Sequence, residues 1–111
     1  MKKFLAIYLG TGNKMKEWQP KPGEMEAAMQ AWSTWATDNA ANIVDQGSPL
    51  GVTKHIDKSG VTDTHNALGA WTVVQAESYD AAAKMFENHP HFTMFPGESV
   101  EIMECLPMPK M

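Results

Sequence analysis

Four histidines and a scatter of carboxylates are the residues of this chain equipped for chemistry near neutral pH. Two of the histidines stand together in His89-Pro90-His91, a spacing at which imidazoles can ligate a metal or shuttle a proton. A metal site needs roughly two or three further ligands, and no local motif supplies them, so no metal is expected. The structural alternative is that His89 ends a helix near its negative pole while His91 faces water. Asp63 and His65 form a second candidate, an acid/base pair in which the carboxylate orients the ring. The same two residues suit a polar loop in which Asp63 caps backbone groups. The candidate catalytic set is therefore His65 or His89 as acid/base and Asp63 as its orienting group. His55 faces either a cleft or a covered sheet face.

Aromatic residues supply the second constellation. Tyr8, Trp32, Trp35 and Trp71 are able to line a cavity for a small planar or apolar ligand. Trp32 and Trp35 share one helical face, so core packing explains them as well. The candidate ligand pocket is Tyr8, Trp32, Trp71 and His55. Met29, Met85, Met94 and Met103 would make such a core or pocket adaptable. Cys105 is the single cysteine, which excludes an intrachain disulfide and a cysteine-rich zinc cluster. It reads as half-buried strand filler. Gly10-Thr11-Gly12-Asn13-Lys14 lacks the length and the helix of a phosphate loop, so no cofactor is expected.

Composition narrows the partners. At 111 residues the chain is expected to form one domain spanning 1–111, and 43% hydrophobic content suits a packed core. Nine basic residues, all lysine, stand against thirteen acidic ones for a net charge of -4. Without arginine or a basic run, nucleic acid is not an expected partner. No apolar run approaches the ~20 residues that span a bilayer. The start, Lys2-Lys3 followed by an apolar run that stops at Gly10, reads as a strand rather than a signal peptide. A cytoplasmic protein is the expectation.

Local pattern gives the elements that must position these groups. Residues 3–9 are apolar on both faces, as in a strand covered twice. A polar break follows at residues 10–13, and then a loop through Trp18, Pro20 and Pro22. Met25, Ala28, Met29, Trp32, Trp35, Ala36, Asn39, Ile43 and Val44 predict an amphipathic helix of about 20 residues, stopped by Gly47 and Pro49. Residues 50–56 predict a second strand, 57–60 a turn and 61–62 a return. Residues 70–76 are the strongest strand, rich in β-branched and aromatic side chains. Ser78 caps a second helix with Tyr79, Ala82, Ala83 and Phe86 on its buried stripe, ended by Pro90. Residues 99–106 are the last strand. The order is strand, helix, strand, strand, helix, strand, with helices on one sheet face and apolar residues on the other. A second subunit would cover that face, so a homodimer is expected.

The landmarks Met29-x-x-Trp32-x-x-Trp35, Val44-Asp45-x-Gly47-x-Pro49-Leu50, Gly60-Val61-Thr62-Asp63 and Leu68-Gly69-Ala70-Trp71 come in this order. Ala76-x-Ser78-x-x-x-Ala82, His89-Pro90-His91-Phe92 and Ser99-Val100-Glu101-Ile102-Met103-Glu104 follow them. Together they resemble the YCII-related, or DGPF-type, family over nearly the whole chain. The resemblance implies an α+β, ferredoxin-like βαββαβ domain that pairs into a dimeric alpha/beta barrel. Some relatives in that family place a histidine and an aspartate in a cleft. Here the helix positions for such a histidine hold Met29, Trp32 and Trp35. Asp63 matches the signature aspartate, but Thr64-His65-Asn66 follow it.

Two functions remain open on the sequence. One is a homodimer that binds, and transforms by acid/base chemistry, a small organic molecule in a cleft. The other is a non-catalytic dimerisation or interaction module whose aromatics are core alone.

Overall fold

A computed structural model of the chain describes residues 1–10 and 16–109. Of the expected polar break at 10–13, only Gly10 lies among the described residues. Strand β1 (Lys2–Leu9) is the centre of the molecule. It pairs antiparallel with β5 (Leu68–Ala76) on one side and β6 (Ser99–Glu104) on the other. β2 (Ile43–Pro49) pairs with the outer side of β5, giving an antiparallel sheet in the order β2-β5-β1-β6. The chain is thus a mixed α/β structure built on antiparallel strands.

Alternation sorts the side chains. Phe4, Ala6 and Tyr8 on β1 and Thr72, Val74 and Ala76 on β5 are buried on one face. Helix α1 (Glu24–Asp38) brings Trp32 and Trp35 against that face, and helix α2 (Tyr79–Met85) brings Ala82, with Phe86 just beyond its end. Ser78 caps α2 as expected, its side chain accepting the Ala81 N–H at 3.1 Å. Only Ala82 and Phe86 of the expected stripe are buried; Tyr79 is half exposed yet lays its ring on Phe4 at 4.9 Å. On the opposite face Leu5, Ile7, Leu9, Trp71 and Val73 are half-buried, and neither α1 nor α2 packs there.

The long helix is shorter than its periodicity predicts. α1 ends at Asp38, where Asn39 gives both its backbone N–H and its Nδ2–H to the Trp35 carbonyl and so satisfies a helix end. A 3₁₀ turn (Ala40–Asn42) follows, and Ile43 and Val44 open β2 instead of continuing the helix. Gly47 is accordingly no helix stop. It sits at φ +70° in an irregularity of β2, where a Cβ would overlap the carbonyl oxygen of Trp71.

The second sheet strand is therefore β2. The run expected in that place forms β3 (Thr53–Asp57), and its return forms β4 (Gly60–Thr64). They pair with each other in a separate two-stranded hairpin, closed at the predicted turn with Gly60 at φ +122°. Pro90 also changes role. α2 has already ended at Met85, and Pro90 opens a short helix α3 (Pro90–Thr93), where its missing N–H costs nothing. Cys105, expected to be half-buried, is exposed beyond β6.

Candidate functional site

The concavity that these elements leave lies between α1 and the β2 edge of the sheet. Met29, Trp32, Ser33 and Ala36 recur at three- and four-residue steps and so present one face of α1 to it. Gln46 to Pro49 of β2 and Ala70 to Thr72 of β5 form the facing wall, with Tyr8 at the back. The cavity measures about 730 Å³, within the range of small-molecule sites.

Its back wall is a relay of hydroxyls. Tyr8 Oη donates to Thr72 Oγ1 at 3.0 Å, and Thr72 passes its own proton to the Gln46 carbonyl at 3.2 Å. Burial pushes the Tyr8 phenol up to about 12, with the Thr72 contact offsetting only part of that, so the ring is neutral at physiological pH. The aromatic wall is continuous: Tyr8 meets Trp32 at 4.9 Å, Trp32 meets Phe95 at 5.8 Å, and Phe95 meets Trp18 at 5.5 Å. Trp35 turns its indole N–H away, donating to the Met85 carbonyl at 2.7 Å.

Behind this wall stand the two histidines of His89-Pro90-His91. Both are buried, His89 completely. His91 does not face water: its Nε2 bonds the Leu9 carbonyl at 2.7 Å and its ring lies 5.3 Å from Tyr8. Nor does His89 end α2; it caps the start of α3, Nδ1 accepting the His91 N–H at 2.9 Å. Its ring is set edge-to-face on Trp32 at 4.6 Å and on Trp35 at 4.5 Å. Burial, and then the neighbouring His91, push the His89 imidazole down to about 3. Burial also lowers His91, against the pull of the Leu9 and Ser99 backbone. Neither ring is placed to trade protons at pH 7.

The remaining candidates lie elsewhere. Asp63 is on the exposed hairpin and pairs with Lys54 across β3 and β4, and His65 follows it in the open. The structure does not bring Asp63, His65 and His89 together, so one chain holds no acid/base trio of these residues. His55 is also on the hairpin, 3.0 Å from Asp57 and half exposed, and it stays out of the cavity. Tyr8 and Trp32 do converge there, and Trp71 borders it from β5, although strand alternation sends its side chain toward the opposite sheet face. Sequence reasoning missed Phe95 and the 46–49 segment, the latter because that segment was read as the end of a helix. Met29, three residues before Trp32, was the signal for the helix side. Among the described residues, no group of three or more His, Cys, Asp or Glu is arranged to hold a metal ion. No helix of the described residues is long and apolar enough to cross a membrane.

No family model matches the chain, and no curated protein matches its sequence. Among solved structures it is similar to 5-chloro-2-hydroxyhydroquinone dehydrochlorinase (TftG) from Burkholderia phenoliruptrix AC1100, in complex with 2,5-dihydroxybenzoquinone. The two share 19% identity over 91% of this chain and 90% of that one, with a TM-score of 0.50. The likeness is one of fold: a mixed α/β chain on an antiparallel sheet.

Proposed function

We propose that this chain is a ferredoxin-like, YCII-related cytoplasmic protein that works as a homodimer and holds a small organic molecule in the cavity between α1 and the β2 edge. The observation that carries this reading is the convergence of Tyr8 of β1, Trp32 of α1 and Thr72 of β5 on one space of about 730 Å³. A fold shared with a dehydrochlorinase whose structure contains a small cyclic dione supports it. Among the described residues the lining has no carboxylate, imidazole or ammonium, and its one titratable side chain is a phenol held neutral. The site is thus suited to binding rather than to proton transfer by Asp63, His65 or His89.

Ligand binding is tested by thermal shift across a library of small organic molecules, since a ligand specific for the native state raises its melting temperature. A hit that is lost in Ala36→Phe, which fills the cavity from α1, supports the site. A library without hits, or hits indifferent to that substitution, sinks it. The dimer is tested by sedimentation velocity. The half-buried row Leu5, Ile7 and Val73 is the face a second copy would cover, and Ile7→Lys should yield a monomer.

A further inference from the structure

We infer that the cavity selects uncharged, planar aromatic molecules that carry a hydrogen-bond acceptor, and discriminates against anions and cations of the same shape. The inference rests on the binding reading above and adds the ligand's chemistry. Three features of the lining point to it.

The first is charge. The chain has thirteen acidic and nine basic residues, and among the described residues none of them lines the cavity. Against the lining that the described residues form, a carboxylate would give up water to indole and methyl surfaces with no lysine to pair with, and an ammonium would find no counter-charge. Aromatic rings can hold a cation when their faces converge on it. Here Tyr8 and Trp32 pack on each other at 4.9 Å and Trp32 and Phe95 at 5.8 Å, so the rings form a wall rather than a box.

The second is shape. That wall stands opposite the backbone of β2, which Gly47 brings close to Trp71. A flat ring can lie between them with its face on an indole, a contact that a saturated ring of equal size makes poorly. Met29, on the rim and 61% exposed, can adapt to the outer edge of the ligand.

The third is hydrogen bonding. The indole N–H of Trp35 is taken by Met85, but that of Trp32, on the cavity side of α1, has no partner among the described residues. Among the described residues the lining thus offers an unused N–H donor and no charge, and a carbonyl or ether oxygen is that donor's complement.

The test is an isosteric series measured by calorimetry on the full chain: naphthalene-2-carboxamide, naphthalene-2-carboxylate, 2-naphthyltrimethylammonium and the saturated decahydronaphthalene-2-carboxamide. The carboxamide is expected to bind at least tenfold more tightly than each of the other three, and to lose at least tenfold in Ala36→Phe and in Ser33→Trp. Two filling variants are used so that one failing to fold leaves the other. A charged analogue that binds as well as the carboxamide overturns the selectivity while leaving the cavity a binding site. Equal binding of the saturated amide overturns the planarity requirement. Absence of binding by all four, with the cavity occupied by a second copy of the chain, overturns both this inference and the reading beneath it.

Discussion

His89 Nδ1 accepts the backbone N–H of His91 at 2.9 Å, and that one bond fixes what the rest of the ring can do. A neutral imidazole whose Nδ1 is an acceptor carries its proton on Nε2. That Nε2 is buried and has no nitrogen or oxygen partner among the described residues. What surrounds it is aromatic: Trp32 and Trp35 edge-to-face, and Tyr8 at 5.1 Å. The indole faces are the electron-rich surfaces left to the Nε2–H, a weaker partner than an oxygen but one that tolerates burial. His89 thus ties the start of α3 to both tryptophans of α1.

This arrangement makes stability depend on pH. The folded pKa of His89 is about 3, below the ordinary 6.5, and that of His91 is lowered in the same direction. Between those values the unfolded chain binds more protons than the folded one, so stability is full above pH 6.5 and falls as pH drops toward 3. The slope for one fully shifted histidine approaches ~1.4 kcal/mol per pH unit. Urea unfolding at pH 7, 6 and 5 should show it before carboxylates contribute. His89→Leu should be less stable at pH 7 and should flatten the slope; an unchanged slope would show that His89 is not the group responsible.

Gly47 is the position least tolerant of a side chain on β2. Its φ of +70° and the Trp71 carbonyl beneath it oppose a Cβ together. Gly47→Ala is expected to cost about 2–4 kcal/mol. Gly60→Ala, at φ +122° but with open space around it, should cost less, about 1–2 kcal/mol. Thermal melts of the two variants give the order directly.

The hydroxyl relay behind the cavity is asymmetric. Tyr8→Phe removes a donor, but Thr72 keeps its bond to the Gln46 carbonyl, so the loss should be about 1 kcal/mol. Thr72→Val strands the Tyr8 phenol and the Gln46 carbonyl together and should cost more, about 2–3 kcal/mol. Denaturant midpoints at constant m-value would reveal this, and equal costs would contradict the direction of the relay.

Asp63 and His65 should matter little to the fold. The Lys54–Asp63 pair is 62% and 83% exposed on its two side chains, and His65 is exposed. Asp63→Asn and His65→Ala are expected to shift unfolding by less than about 0.5 kcal/mol. A larger loss would mean that the hairpin is covered in the working assembly, as when a second copy packs on it.

What the chain determined locally is what local physics can carry. The two-faced β1, the period-two pattern of β5 and the alternation of β6 follow from side chains that point to opposite sides of a pleated strand. The Ser78 cap needs only a hydroxyl and a neighbouring N–H, and Trp32 falls on the cavity side of α1 by helical spacing. Where α1 stops was not legible, because Ile43 and Val44 continue the apolar period past Asn39. Only pairing with β5, a partner about 30 residues away, makes them strand. The two histidines read as polar surface beside a proline. Their burial was decided when Tyr8, Trp32, Trp35 and Phe86 closed around them, an event of the assembled core with no signature in the tripeptide. The same holds for the cavity: Tyr8, Trp32 and Trp71 could be suspected one by one, but three elements had to meet before they bordered one space.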